Sequence, residues 1–341
     1  MPTALPSKSR PAPTTEMQTK ETGAGEVRSA EIQPKQTRFG SFRSNKQLVA
    51  WALLILLAII WGNSFILIKK SLLAYSAGEV GALRIIAAGL ALLPIAIKHV
   101  GALSGRNRML LLVIGLVGSF IPAFLFAKAQ TQLSSSVTGI LNALTPLFVV
   151  VIGAIFFGHR FTVRNAIGLA ISFGGSIILA LAKAGGELGS INLYAFLVIL
   201  ATLCYGLNLN IIKAFLGGLR PVVITAVSLA LVLPGAVVYL FGFTDFTHHL
   251  QTQPTAGWSL LAVVTLGVVG TAIALILFNH LVQITTPMFT SFTTYLIPIV
   301  AVIVGVLDGE VLLTMHFVGM AAVIAGVYIA NQRPKLLKVK L

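Results

Sequence analysis

The chain carries few charges, and acidic residues are the scarcest of them. Of 341 residues only 9 are Asp or Glu and 24 are Lys or Arg, so charged residues make up 10% of the sequence. Soluble domains carry about 25%, whereas 57% of this chain is apolar and its mean hydropathy is +0.95. These values exclude an ordinary soluble enzyme, a disordered chain and a coiled coil. They indicate an all-α protein that crosses the membrane several times.

Cysteine and the common catalytic motifs are also scarce or missing. The single Cys204 excludes a disulfide framework and a cysteine-based metal site. The sequence has no ATP-binding P-loop, no Gly-x-Ser-x-Gly elbow and no His-Glu-x-x-His zinc motif. No Asp or Glu falls in the middle of a long apolar run. We therefore expect a protein without a cofactor, a metal site or catalytic residues, and not an enzyme.

The two ends of the chain differ from its middle. Pro, Ser, Thr, Lys and Glu dominate residues 1–46, and large apolar residues are sparse there. Such a segment cannot bury enough apolar surface to fold alone, so we expect a disordered cytoplasmic tail. Residues 332–341 form a second, short basic tail.

Long apolar runs fill the rest of the sequence. A membrane helix needs about 20 mainly apolar residues. Two breaks between runs, at 128–131 and 283–287, are short and nearly uncharged, so nine spans is the alternative to the ten that we predict. The predicted spans are 47–68, 78–97, 109–128, 131–157, 163–182, 192–214, 221–243, 257–280, 285–307 and 314–331.

The basic residues are divided unequally between the two sides of a ten-span arrangement. The side that holds both termini has 19 Lys and Arg, the other side has 4, and Arg84 lies within a span. Basic residues are enriched on the cytoplasmic side of membrane proteins, so we predict cytoplasmic termini in the plasma (inner) membrane. The net charge of +15 is thereby explained by orientation, and nucleic acid is not an expected partner.

The sequence repeats itself. Residues 61–69 (WGNSFILIK) recur as 205–213 (YGLNLNIIK) at an offset of 144, and residues 144–180 parallel 296–331. The chain is therefore predicted to be two halves, 47–182 and 192–331, of five spans each. An odd number of spans inserts the second half upside down relative to the first, and such inverted repeats are typical of secondary transporters.

These motifs resemble the drug/metabolite transporter superfamily, EamA type. The resemblance rests on the WG-N-F pattern with its Lys69, on Leu83-Arg84 in the second span, and on the Pro and Gly pattern of the fourth and fifth spans. It covers about 47–331 and implies a ten-helix exporter or exchanger of small metabolites with a central cavity. One position departs from the family, which usually has Glu where this chain has His159, while the second half keeps Glu310.

Polar residues inside the spans are the candidate substrate contacts, because polar groups in hydrocarbon are costly unless they pair or face a cavity. Those of span four are three or four residues apart and share one helical face. The alternative is that they join helices or bond to their own backbone. The predicted cavity residues are Asn63, Ser135, Thr138, Asn142, Tyr205, Asn208, Ser291, Thr294 and Tyr295.

Two prolines occupy equivalent places in the halves, Pro146 in span four and Pro298 in span nine. Each frees a carbonyl about one turn upstream. We predict a kink at each, and the kink acts either as a hinge or as a static bend.

Arg84 is the one charge well inside a span. Intramembrane arginines are usually matched by an acid. We therefore predict a structural ion pair with Glu79, Asp308 or Glu310, and the alternative is that Arg84 meets an anionic substrate.

Small residues four apart occur in the last span of each half, at Ala170 and Gly174 and at Ala322 and Gly326. This spacing favours close helix packing. The two helices are expected to pack against each other or at the face of a homodimer.

The sequence thus predicts a transporter that exports or exchanges small metabolites, such as amino acids or related amphipathic solutes. Its partners are the lipid bilayer and a small-molecule substrate. A nucleotide-sugar or phosphate-ester exchanger is the alternative, but it would need several basic groups at mid-depth. A lipid-modifying enzyme would need a cluster of catalytic groups that the sequence does not show.

Overall fold

Helices make up all the regular structure in the part of the chain that the computed structural model describes, residues 39–158, 162–181, 192–285 and 287–331. A helix satisfies every backbone N–H and C=O within its own segment, as hydrocarbon requires. The elements of the first half are α1 (Phe39–Ser71), α2 (Ala77–Val100), α3 (Gly105–Gly115), α4 (Ile121–Ala129), α5 (Ser135–Asn142), α6 (Thr145–Phe156) and α7 (Val163–Leu181).

The second half begins after a gap at 182–191 in the described residues. Its elements are α8 (Tyr194–Phe215), α9 (Pro221–Phe243), α10 (Phe246–Thr252), α11 (Ala256–Gly267), α12 (Ala274–Ile284), α13 (Pro287–Leu307) and α14 (Thr314–Asn331). The short α10 connects α9 to α11, and the other elements build the apolar bundle.

Seven stretches of these helices are long and apolar enough to cross a membrane: Gln47–Ser71, Ala77–Val100, Gly105–Ala129, Ser135–Phe156, Tyr194–Phe215, Pro221–Phe243 and Ala256–Ile284. Three further apolar helices in the described residues are shorter, at Val163–Leu179, Leu296–Leu307 and Thr314–Ile329. The chain is therefore an all-α, multi-pass membrane protein.

The predicted tails are only partly within the described residues. Helix α1 begins at Phe39, so the helix extends eight residues into the segment that we expected to be disordered. Residues 1–38 and 332–341 lie outside the described part of the chain. Residues 43–341 form one compact unit and 1–42 another, of which only the start of α1 is described.

Equivalent helices of the two halves pack against each other. Helix α2 lies along α9, and α7 lies along α14. At the second of these contacts a Cβ on Gly326 would lie 2.6 Å from the Gly168 carbonyl oxygen, and one on Gly175 would lie 2.8 Å from that of Gly319. Close packing of the two last spans through small residues is thus present within the chain. A Cβ on Gly174, which we assigned to this contact, would meet no atom within 4 Å outside its own helix backbone, because the contacting face is one residue further along α7.

Two π-helical segments interrupt the third span of each half. Leu116–Phe120 joins α3 to α4, and Val268–Ile273 joins α11 to α12. π-Helical turns are rare and occur frequently at functional sites. Their occurrence at matching places supports a repeat, and sequence periodicity gave no sign of them.

The fourth and ninth spans differ although their prolines match. The fourth span is broken between Asn142 and Thr145, with Pro146 in the first turn of α6. The Thr145 hydroxyl donates to the Asn142 carbonyl at 2.9 Å, the carbonyl that Pro146 leaves without a helical donor. Pro298 instead lies inside the continuous helix α13.

Both of these spans end in a left-handed glycine, Gly158 with φ of 68° and Gly309 with φ of 86°. Glycine adopts this conformation without steric cost, which makes it the usual residue just after a helix end. The two glycines are equivalent in the sequence repeat.

Candidate functional site

A cavity lies between the two halves of the bundle, with walls from α1, α2, α5, α6, α8, α9, α13 and the two spans that contain π-helical segments. Its empty volume is about 1150 Å³, a figure that includes the solvent-filled space at its opening. Aromatic side chains, among them Trp61, Phe65, Phe126 and Phe278, form much of the apolar wall. The polar side chains of the wall are Ser64, Arg84, Ser119, Asn142, Thr145, Tyr205, Asn208, Thr225, Ser228, Thr271, Asn279 and Thr294.

Four of the predicted cavity residues lie in this wall: Asn142, Tyr205, Asn208 and Thr294. Asn142 is the last residue of α5, at the break in the fourth span. Tyr205 and Asn208 are three residues apart on α8 and therefore share a face. The side chains of Ser291 and Tyr295 lie outside what the structure describes.

Three predicted cavity residues have other surroundings, and for these the expectation was wrong. The Asn63 amide donates to the Ile59 carbonyl of its own helix at 2.8 Å. Thr138 is fully buried and donates to the Ser134 carbonyl at 2.9 Å. Ser135 binds a carboxylate at the end of α13. For Asn63 and Thr138 the helix backbone supplies the acceptor, as is common for polar residues in membrane helices.

The wall also contains polar residues that our selection left out. Thr225 and Ser228 are three residues apart near the start of α9, and Thr271 and Asn279 lie in the eighth span. The spacing on α9 was a readable signal. The position of Thr271 depends on the π-helical segment, which the sequence did not reveal.

The π-helical segment Val268–Ile273 holds two side chains of the cavity wall. The Trp61 indole N–H donates to the Gly270 carbonyl oxygen at 3.1 Å. The Thr271 hydroxyl donates to the Leu266 carbonyl at 3.2 Å and accepts from Arg84. The π-helical segment therefore provides a carbonyl that holds Trp61 and a hydroxyl that holds Arg84 at the cavity.

The two π-helical segments receive equivalent neighbours. A Cβ added to Gly118 would lie 2.6 Å from Asn208 Oδ1, and one added to Gly270 would lie 3.0 Å from Ser64 Oγ. Gly118 and Gly270 are each the third residue of their π-helical segment, and Ser64 matches Asn208 in the sequence repeat. A similar close approach thus recurs on both sides of the cavity.

Arg84 faces the cavity without an acidic partner among the described residues. Its Nε donates to Thr271 Oγ1 at 2.8 Å, and its guanidinium also interacts with the Tyr205 hydroxyl. The predicted ion pair with Glu79, Asp308 or Glu310 is therefore wrong. The reason is that all three carboxylates are engaged elsewhere.

Glu79 stabilises the start of α2 instead. Its Oε2 accepts from the Ser76 backbone N–H at 2.7 Å and closes a capping box with the Ser76 hydroxyl. The His249 ring nitrogen Nδ1 lies 2.9 Å from Glu79 Oε1. Carboxylates at a helix N-terminus are stabilised by its free N–H groups, so this acid has a structural place away from Arg84.

Glu310 is the centre of a polar cluster at the end of the bundle where α1 and α13 end and α5 begins. Its carboxylate accepts from the backbone N–H groups of Ser135 and Ser136 at 2.9 and 3.0 Å, and from both of their hydroxyls. Lys69 Nζ lies 3.1 Å from Glu310 and 2.7 Å from Asp308. We call Lys69, Lys70, Ser135, Ser136, Asp308 and Glu310 the charge clamp.

The charge clamp keeps its carboxylates ionised. Burial alone would raise the pKa of Glu310, but the hydrogen bonds from Ser135 and Ser136 outweigh it and lower that pKa from 4.5 to about 2. Hydrogen bonds from Lys69 and Lys70 lower the pKa of Asp308. A carboxyl with a depressed pKa stabilises the folded contact above its ordinary pKa and loses this effect as the pH falls toward the depressed value. The clamp is therefore fully formed near neutral pH.

The cavity extends from the middle of the bundle toward both ends. On α1 its wall reaches Ile68, next to Lys69 of the clamp. On α8 it extends to Ile212, and on α9 it begins at Ile224, so it approaches the end where α8 meets α9. We call these two ends the Lys69 end and the Lys213 end. A second, more open recess lined by Gly217, Arg220 and His280 lies at the Lys213 end.

The cavity wall carries no metal-binding cluster. Within the described ranges no group of three or more His, Cys, Asp or Glu side chains is placed to hold a metal ion. Asn208 Oδ1 is buried there without a hydrogen-bond partner. The arrangement can bind a solute by hydrogen bonds, apolar contacts and one positive charge.

Known proteins with a similar sequence or fold are transporters where their names state a role. The chain is 27% identical over 286 residues to a protein of Streptantibioticus cattleyicolor named "Probable terminal-alkyne amino-acid exporter", covering 83% of this chain and 93% of that one. It is 23% identical over 298 residues to the "Uncharacterized inner membrane transporter YedA" of Escherichia coli K12, covering 85% and 92%. One solved crystal structure covers 84% of this chain and 96% of its own, with a TM-score of 0.57 and 17% identity, which shows a shared fold.

The model of the EamA-like transporter family matches this chain twice, at residues 49–181 and 192–332. The two matches cover most of the chain and correspond to its two halves. The protein therefore belongs to the EamA-like transporter family and is a membrane transporter rather than an enzyme.

Proposed function

We propose that the protein exports or exchanges small amphipathic metabolites, amino acids or related solutes, by alternating access between two inverted five-helix halves. The observation that carries the proposal is the polar cavity between the halves, beside which the charge clamp joins helices at the Lys69 end. The name of the Streptantibioticus relative supports an amino-acid-like solute.

Ten crossings in two inverted halves are part of this proposal. The seven long apolar stretches and three shorter apolar helices provide ten segments. The pairing of α2 with α9 and of α7 with α14 is what a two-fold relation between the halves would produce. The π-helical segments and the left-handed glycines at matching positions support the same relation.

The orientation follows from the distribution of Lys and Arg. With both termini in the cytoplasm, the Lys69 end faces away from the cytoplasm and the Lys213 end faces it. In this arrangement the described conformation is closed to the outside by the clamp, and its cavity extends toward the cytoplasm. Transport would then require the clamp to open while the Lys213 end closes.

The broken fourth span is the candidate hinge. Its first segment, α5, carries the two serines of the charge clamp. Its second segment, α6, starts at Thr145 beside the cavity. Discontinuous helices at a binding site are a recurring feature of secondary transporters. Pro146 makes the break, whereas Pro298 is a candidate kink within a continuous helix.

Counterflow in proteoliposomes tests the proposal. Purified protein is reconstituted into liposomes that are loaded with amino acids, nucleosides and organic cations. Exchange of each labelled solute is then measured with and without a pH gradient. We expect exchange of one solute class, and we expect Asn142→Leu to reduce it at least tenfold because a cavity amide is lost. Asn63→Leu is the matched control, since the Asn63 amide bonds to its own helix.

These controls distinguish an error in the assigned binding site from an error in the proposed function. Equal exchange by both variants would remove Asn142 from the site while leaving a transporter. Failure of the wild-type protein to exchange any solute of the pool would contradict the proposed function.

A further inference from the structure

Arg84 is the one charged side chain among the described residues of the cavity wall. We propose that it forms a subsite for the carboxylate of a solute that carries an apolar body. The inference rests on the proposed function, because it specifies what the same cavity selects. The sequence left two alternatives for Arg84, an ion pair within the protein or contact with an anionic substrate. The contacts of Arg84 favour the second.

The protein leaves the charge of Arg84 unmatched. Its described partners are the Thr271 hydroxyl and the Tyr205 hydroxyl, both neutral. The nearby acids are committed elsewhere, Glu79 to the start of α2 and Glu310 to the clamp. A charge inside a membrane protein is costly unless it is paired or faces a water-filled cavity. The cavity is therefore the place where Arg84 meets a negative charge.

A carboxylate fits this group better than other anions. A guanidinium presents five N–H donors in a planar fork, and the fork matches the two oxygens of a carboxylate. The bond from Nε to Thr271 fixes one edge of the fork. A single positive charge balances one negative charge, whereas a phosphate ester with two negative charges would remain partly unmatched.

The remaining wall fits the rest of such a solute. Trp61, Phe65 and Phe126 offer apolar and aromatic surface, and Phe126 stacks with Tyr205 at a centroid distance of 6.0 Å. Asn208, one turn beyond Tyr205, is also part of the wall. The cavity thus combines a carboxylate site with a polar and apolar surface.

The test compares each carboxylate with its own carboxamide. Leucine and leucinamide, phenylalanine and phenylalaninamide, and hexanoate and hexanamide are used as competitors of counterflow, and their thermal stabilisation of the purified protein is measured in parallel. We expect the wild-type protein to prefer the carboxylate in at least one pair. A hydrogen bond to a charged group is worth about 1.5–3 kcal/mol, so Arg84→Gln should lower this preference about 10–100-fold.

Two further variants separate recognition from structure. Arg84→Lys keeps the charge without the fork and should retain part of the preference, whereas a purely structural Arg84 would lower thermal stability in both variants without changing the ratio. Lys128→Gln is the control, because it removes a positive charge outside the cavity wall. An unchanged ratio in a stable Arg84→Gln protein would overturn the inference.

The wild-type protein alone also decides the matter if the variants do not fold. Absence of any carboxylate preference in all three pairs would overturn the carboxylate site. Exchange of only neutral or cationic solutes would do the same and would leave the transporter function intact. Absence of all exchange would instead count against the proposed function itself.

Discussion

The two ends of the helix bundle carry equivalent sequence positions but different chemistry. At the Lys69 end, Lys69 pairs with Glu310 and Asp308, and Glu310 binds the start of α5. At the Lys213 end, Lys213 takes the place of Lys69 in the repeat, and it makes no ion pair within the described residues. The acid there is replaced by His159, which lies outside the described part of the chain.

This difference shows how an internal repeat can produce an asymmetric molecule. The halves share their glycines, π-helical segments and helix pairing, which set the fold. They differ in two acids, Asp308 and Glu310, which stand where the first half has Phe157 and His159. Through Glu310 the second half joins three helices at the Lys69 end. A strong contact at the Lys69 end and a weaker one at the Lys213 end would favour a conformation closed to the outside and open toward the cytoplasm.

The largest effect is expected from removing the acid of the clamp. Glu310→Gln replaces a buried carboxylate, 5% exposed in its side chain, that accepts four hydrogen bonds from Ser135 and Ser136. Loss of its charge should cost the closed conformation about 1.5–3 kcal/mol. The ratio of closed to open protein should fall about 10–100-fold, measured as labelling of a cavity cysteine from outside.

Glu79→Gln is the control for this variant. It removes a carboxylate on the same predicted side, but one that caps α2 and lies beside His249. The two variants should differ in outside labelling even if both lower thermal stability. Equal labelling would mean that the clamp does not hold the Lys69 end closed.

A smaller effect is expected from one clamp hydroxyl. Ser136→Ala removes a hydrogen bond of 2.6 Å to Glu310 but keeps the backbone N–H contact at 3.0 Å. A single hydrogen bond contributes about 1 kcal/mol, so outside labelling should increase about fivefold. Ser176→Ala is the matched control, because its buried hydroxyl bonds within α7. A similar increase in the control would assign the effect to general loosening of the bundle.

Adding an acid at the Lys213 end tests the same comparison at the opposite end of the bundle. His159→Glu gives the Lys213 end the residue that the second half has at Glu310. An exposed ion pair contributes about 0.2–1 kcal/mol, so closure of the Lys213 end should increase up to about fivefold. Labelling of a cavity cysteine from the cytoplasmic side should decrease accordingly. His159→Gln is the control, and equal behaviour of the two variants would contradict the equivalence of the ends.

The smallest effect is expected from pH. The pKa of Glu310 lies at about 2 instead of 4.5, so its contribution to closure is constant above about pH 5 and decreases only as the pH falls toward about 2. In a protein with a cavity cysteine and native Glu310, the ratio of outside to cytoplasmic labelling should not change between about pH 5 and pH 8. The ratio is used because a higher pH increases the reactive thiolate for labelling from either side. A change in this range that disappears in Glu310→Gln would show that Glu310 takes up a proton near neutral pH.

The fold was predictable where apolar patterning sets it. Apolar runs gave the helices, and the recurrence of residues 61–69 and 144–180 gave two halves, to which the family model also matches. The small-residue contact between α7 and α14 was predictable for the same reason, since Gly326 and its partners recur in the repeat.

The site was predictable only in part. Asn142, Tyr205, Asn208 and Thr294 are polar residues that the helices turn inward. Asn63 was misassigned because an amide side chain can bond either to its own helix or to a solute in the cavity. The sequence does not show which of the two contacts it makes. The partners of Arg84 depend on a π-helical turn and on capping contacts that engage Glu79, and neither follows from the periodicity of apolar residues.

The most direct test of the account is the sidedness of access to the cavity. Cys204→Ala removes the single native cysteine, and Ser228→Cys then places one thiol in the cavity wall. Its labelling by a membrane-impermeant thiol reagent is measured from each side of oriented vesicles, with and without Glu310→Gln. The account predicts labelling from the cytoplasmic side in the parent and a gain of outside labelling in the Glu310→Gln variant. Outside labelling of the parent that Glu310→Gln leaves unchanged would contradict it.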